Sequence, residues 1–207
     1  MHASYSFFLP SASCLRGASA LACVLTCLAG IGFSSTGARA DTAACKTLQD
    51  AMLANTKTPF HSFASIKFNY AAPMTVAQRN LRLPESQSSE TIFTGKAVFV
   101  RLLPGKWKSL PTTPTQFQQH VRASVTGFGK CRRLADDKVD GAAMSVYQAD
   151  TKNQNHLVQT KVWVSAQGIP VKSETDIEIG HTPGGDMMHE HLSTRYEYGE
   201  VRAPAVD

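Results

Sequence analysis

HLVQTKVWVSAQGIPVKSETDIEI, residues 156–179, is the stretch whose reading decides the fold. Over Leu157 to Ser165, Val158, Thr160, Val162 and Val164 fall on one face of a strand, while Gln159, Lys161 and Ser165 share the other with Trp163. Over Ile169 to Ile179, Val171, Ser173, Thr175, Ile177 and Ile179 alternate with Lys172, Glu174, Asp176 and Glu178, so one face is solvated. A two-residue turn at Gln167 and Gly168 sets Val164 opposite Val171, Val162 opposite Ser173, Thr160 opposite Thr175 and Val158 opposite Ile177. A slip of one residue would place Val162 against a charge, so the register is well specified.

A third run, Glu190 to Tyr198, sets Leu192, Thr194, Tyr196 and Tyr198 against His191, Ser193, Arg195 and Glu197, after a turn through Thr182, Pro183, Gly184 and Gly185. Three antiparallel strands then share an inner face that mixes Val, Ile and Tyr with small hydroxyl residues. Such a face suits a sheet curving round a helix or a cavity, or an ordinary filled core that tolerates Ser and Thr.

The first forty residues read as a leader. Arg16 precedes an apolar run, Ala18 to Phe33, and the small residues Ala38-Arg39-Ala40 form a cleavage signal before Asp41. The run is short for a membrane span. Cys23 and Cys27 do not make a lipoprotein leader, because Thr26 precedes Cys27 and Cys23 lies early in the run. The reading is an exported, soluble product cut after Ala40, with residues 41–207 as a single domain. Arg16 and Arg39 are the only charged residues in the leader, so the formal charge of +5 falls to +3 on cleavage. The remaining basic residues are scattered, without the basic face that nucleic-acid binding needs. Cys45 and Cys131 alone remain after cleavage, and two cysteines in an exported chain suggest one disulfide. The alternative is a redox or nucleophilic cysteine, although neither has a Cys-x-x-Cys partner.

Upstream of the three strands, Thr42 to about Asn55 reads as a helix with Ala44, Cys45, Leu48, Ala51 and Met52 on one stripe. Phe60 to Tyr70 alternates as a strand, with Ala64, Ile66, Phe68 and Tyr70 on one face. Residues 71–89 read as a long mobile loop. Glu90 to Leu103 reads as one bent strand with Gly95 at its middle, followed by a short strand near Trp107 to Leu110. Thr113-Pro114-Thr115-Gln116 is a capping box with proline at the first helical position, opening a helix that stops at Gly127. Short strands near Cys131 to Ala135 and Ala142 to Ala149 follow, joined through Asp136 to Gly141. The order predicts an α+β domain: a curved, mostly antiparallel sheet, or half-open β-barrel, with helices packed on its concave side.

Motif chemistry points away from an enzyme. There is no Gly-x-Ser-x-Gly elbow, P-loop or His-Glu-x-x-His, and nothing asks for a cofactor. His189 and His191, two apart on a strand, share a face and could hold a metal with His181 or Asp186; the competing reading is a solvated outer face. Asp136, Asp137, Glu174, Asp176 and Glu178 read as solvated too.

The pattern Val162-Trp163-Val164-Ser165-x-x-Gly168-Ile169-Pro170-Val171, with the closing Arg195-Tyr196-Glu197-Tyr198-Gly199-Glu200-Val201-Arg202-Ala203-Pro204, resembles the periplasmic lipoprotein-carrier superfamily of LolA, LolB and LppX. The resemblance implies a half-open barrel whose helix-capped concave face holds acyl chains. No residue here matches the cavity arginine of the lipoprotein chaperone. The function expected is therefore a soluble, monomeric periplasmic binding protein or carrier for a lipid, acyl chain or lipoprotein. The candidate ligand-binding residues are Ile66, Phe68, Tyr70, Val162, Val164, Thr175, Tyr196 and Tyr198. A metal-binding protein using His189 and His191, or a structural envelope protein with a filled core, are the alternatives.

Overall fold

The structure, a computed structural model, describes residues 42–70, 85–153, 156–179 and 188–206. The expected leader, the stretch 71–84, and residues 180–187, where a turn with His181 and Asp186 is expected, lie outside the described residues. Two helices are described, α1 (Thr42–Asn55) and α2 (Pro114–Thr126), with ten strands: β1 (Phe60–Tyr70), β2 (Ser86–Phe93), β3 (Val98–Leu103), β4 (Lys108–Leu110), β5 (Lys130–Arg133), β6 (Asp137–Val139), β7 (Ala142–Asn153), β8 (His156–Val164), β9 (Pro170–Ile179) and β10 (Met188–Tyr198). They form one antiparallel sheet in the order β4-β3-β2-β1-β10-β9-β8-β7-β5, with β6 pairing β7. The path stays open, because β4 and β5 do not pair with each other. No described helix is long and apolar enough to cross a membrane.

The β8–β9 register is the expected one at three pairs: Val162 with Ser173, Thr160 with Thr175, and Val158 with Ile177. It departs at the turn. Val164 pairs with Pro170 rather than Val171, across a bulge at Trp163/Val164. The extra residue carries Val171 to the other face, where it packs against the cluster of Met144, Val146 and Trp163. Gly168, at φ +76°, takes the left-handed conformation that closes the turn.

Three further departures concern segment ends. The expected bent strand from Glu90 to Leu103 is a hairpin, β2–β3: Gly95 has φ +82°, and the Thr94 hydroxyl accepts from the Lys96 and Ala97 amides, which turns the chain back. β2 begins at Ser86, inside the segment read as loop, because its small polar residues pair with β1 down to Lys67. The connection through Asp136 to Gly141 contains β6, and Asp140 (φ 52°) with Gly141 (φ 84°) makes the two-residue hairpin turn that favours Asp-Gly.

Both helices lie on one face of the sheet. Ala44, Leu48 and Ala51, at helical spacing on α1, pack with Cys131, Ala149, Val162 and Val164. Leu48 and Val162 are fully buried. α2 begins as its sequence dictates: the Thr113 hydroxyl accepts from the Gln116 amide at 3.2 Å, and the Gln116 side-chain oxygen accepts from the Thr113 amide at 2.9 Å. Its Phe117 packs on Phe60 and Phe93, with ring centroids 6.4 and 5.1 Å apart. Gln49 Nε2 donates to the Val125 carbonyl at 3.1 Å, tying α1 to the end of α2. Cys45 and Cys131 form a disulfide that joins α1 to β5.

Candidate ligand-binding face

The sheet's alternation and register place a continuous row of residues on the helix-bearing face. From β1 these are Phe60, Ser62, Ala64, Ile66 and Phe68; from β10, Tyr198, Tyr196, Thr194, Leu192 and Glu190; from β9, Ser173, Thr175 and Ile177; from β8, Val162, Thr160 and Val158. The two helices cover only one end of this row. There Val162 and Val164 lie under α1, and Tyr196 and Tyr198 pack with Phe60, Phe93, Val98 and Phe117. Phe60 meets Tyr196 edge-on at 5.7 Å.

At that end the polar groups are satisfied. The Tyr198 hydroxyl lies 2.5 Å from the Pro170 carbonyl, to which it donates, and 2.9 Å from Asn55 Oδ1. Burial and the neighbouring Tyr196 push its hydroxyl far above the ordinary tyrosine range. Burial pushes Tyr196 up as well, against a hydrogen bond with Ser173. These phenols are neutral, and they anchor the covered end of the sheet.

The other end of the row is different. Ile66, Leu192, Ile177 and Val158 are half-buried, and the described core clusters do not include them. Phe68 is 8% exposed, and the Thr160 and Thr175 hydroxyls lie 3.3 Å apart between the apolar side chains. The stretch crosses β1, β10, β9 and β8, about 14 Å at the usual strand spacing. Of the eight residues expected to bind ligand, Ile66, Phe68 and Thr175 stand in this part. Val162, Val164, Tyr196 and Tyr198 stand beneath the helices. Tyr70 pairs with Met188 in the register.

Glu190 is the residue that the sequence reading left out. It stands between Phe68 on β1 and Ile177 on β9, on the apolar face. Burial raises its carboxyl above the usual carboxylate range. Its alternation with Leu192 was the available signal.

On the opposite face, His191 Nδ1 lies 2.8 Å and His189 Nε2 3.5 Å from Asp176 Oδ1. The two histidines therefore flank a carboxylate of the neighbouring strand. Among the described residues, no group of three or more His, Cys, Asp or Glu side chains is arranged to hold a metal. Trp163 sits between Lys161 and Lys172, whose ammonium groups lie 4.3 and 4.4 Å from its ring, and its indole N–H donates to Asp137 at 2.9 Å. Asp137 is thus a hydrogen-bonded partner rather than a merely solvated side chain.

The same outer face carries a second polar arrangement. Glu90, only 6% exposed, takes a hydrogen bond from Arg101 at 2.6 Å and faces His61 Nε2 at 2.8 Å. Burial would raise its carboxyl, but these two partners more than offset that and hold it below the ordinary range. The Arg101 guanidinium also stacks 4.7 Å from the Trp107 ring. Beside His61, a groove of about 250 Å³ runs between Ile92, Glu197 and the chain from Gly199 to Arg202.

Among solved structures, the chain is similar to the lipoprotein LppX of Mycobacterium tuberculosis, at 11% identity and a TM-score of 0.42, covering 81% of this chain and 100% of that chain. It is also similar to LprF of Mycobacterium bovis, at 12% identity and a TM-score of 0.41, over 79% of this chain and 95% of that one. A DUF1329 family protein from Desulfovibrio piger follows at 8% identity and a TM-score of 0.30, over 76% and 91%. No family model matches the chain, and no curated protein matches it.

Proposed function

We propose that residues 41–207 act as a soluble periplasmic binding protein or carrier that takes up the acyl part of a lipid or lipoprotein, without catalysing a reaction. The observation that carries this is the helix-bearing face. Its apolar row continues past the two described helices as Ile66, Phe68, Leu192, Ile177 and Val158; among the described residues the core clusters occupy only the other end of the row, and Ile66, Leu192, Ile177 and Val158 are half-buried. The hydroxyls of Thr160 and Thr175 offer hydrogen bonds within the apolar strip, which suits a ligand with a long tail and few polar atoms. The leader, the disulfide and the superfamily resemblance agree with an exported carrier.

Displacement of a fluorescent acyl probe by alcohols of increasing chain length tests the proposal. Each added methylene buries about 0.8 kcal/mol of apolar area, or roughly fourfold in affinity, until the strip is filled. Phe68→Asp and Leu192→Gln should each abolish displacement while far-ultraviolet circular dichroism and the disulfide stay intact. Affinity independent of chain length, or unchanged in both variants, would refute an acyl site on this face.

A further inference from the structure

We propose that the ligand of this face is a cationic amphiphile, whose ammonium or similar positive group is seated against Glu190 while its tail lies along Ile66, Phe68 and Ile177. The inference rests on the acyl-binding reading and names the charge of the molecule bound.

Its basis is the placement of one charge. Glu190 pairs across the sheet with Phe68 on one side and Ile177 on the other, and its own strand presents Met188 and Leu192 two residues away in each direction. The diagonal neighbours are Ile66 and Thr175, the register partners of Leu192, and Tyr70 and Ile179, the register partners of Met188, and none of the four is a cation. His189 and His191 alternate with Glu190 and serve Asp176 on the opposite face. Among the described residues no cation pairs with Glu190, whereas Glu90, Asp137, Asp140, Asp150, Glu174 and Asp176 all have partners.

A carboxylate with no cation partner among the described residues is costly in an apolar strip, and covering it with an alkyl chain makes it costlier. A bound anion would add repulsion. A bound cation supplies the missing partner in a half-buried site, where a charge-assisted hydrogen bond is stronger than on an open surface. The overall charge of residues 41–207, +3, disfavours cations, so a preference for them must come from a local group.

The test compares decylamine, decanol and decyl sulfate, each below its micelle concentration, as competitors of a fluorescent acyl probe at pH 7.5. The wild type should bind decylamine at least tenfold more tightly than decyl sulfate, with decanol between. Glu190→Gln should bring the three within about threefold, and Glu190→Asp should keep the order. Equal binding of the three by wild type, or an order that survives in Glu190→Gln, would overturn the charge assignment and leave the acyl site standing. Failure of all three to displace the probe would instead overturn the acyl reading together with this one.

Discussion

Replacing both Cys45 and Cys131 with alanine should cost this fold a large part of its stability. The disulfide joins residues 86 apart in sequence. The chain-entropy model assigns a loop of that length about 4.6 kcal/mol at 25 °C. Alanine keeps the site apolar at Cys131, which is 3% exposed beside Leu48 and Ala149, so little is added by an unpaired polar group. For a domain of this size the loss corresponds to a fall in Tm of roughly 9–18 °C. Denaturant unfolding, followed by far-ultraviolet circular dichroism, should show a lower midpoint and also a steeper m-value, since the uncrosslinked chain expands further when unfolded. Wild type unfolded in the presence of a reductant should fall on the variant's curve. A drop in Tm of less than about 3 °C, with reduced wild type equally unaffected, would show that α1 is held to β5 by packing alone and refute the reasoning.

The buried Glu90 and the half-buried Glu190 should respond to pH with opposite signs. Arg101→Ala leaves Glu90 with only His61, and removing one partner of a buried ion pair costs on the order of 3 kcal/mol. Because the Glu90 carboxyl is held below its ordinary range, its contribution is present at neutral pH and lost as pH falls through the depressed value. The Tm gap between wild type and Arg101→Ala should therefore narrow in strong acid, and a constant gap would count against it. Glu190 is raised, so the native state holds its proton more tightly than the unfolded chain and stability falls as pH rises through the usual carboxylate range. Glu190→Gln should melt higher than wild type at pH 7 and level with it at pH 3; the reverse pattern would mean that the carboxylate has a partner.

The three closing strands were legible because alternation and charge agree: a one-residue slip of β8 against β9 sets Val162 opposite a charged residue. The departure at Val171 was not, since a bulge beside Pro170 adds a residue without disturbing the alternation on either side. The capping box at Thr113 fixed the start of α2 from four residues. Gly95 was read as a bend in one strand, and this hid the His61, Glu90 and Arg101 arrangement. Glu90 and Arg101 become cross-strand neighbours only when Thr94 to Ala97 is a hairpin. The shared face of the eight candidate residues followed from period-two patterning. Which part of that face lies under α1 and α2 did not, because helix docking is decided by contacts between residues far apart in the chain, such as Leu48 with Val162.

Native mass spectrometry of residues 41–207 purified from a periplasm, with organic extraction of the same sample, tests the acyl-carrier account most directly. The account predicts an adduct of lipid size on the folded, disulfide-bonded chain, lost in Phe68→Asp and recovered in the extract as a molecule with an acyl tail. A protein that keeps its apo mass after incubation with extracted envelope lipids, in wild type and variant alike, would contradict it.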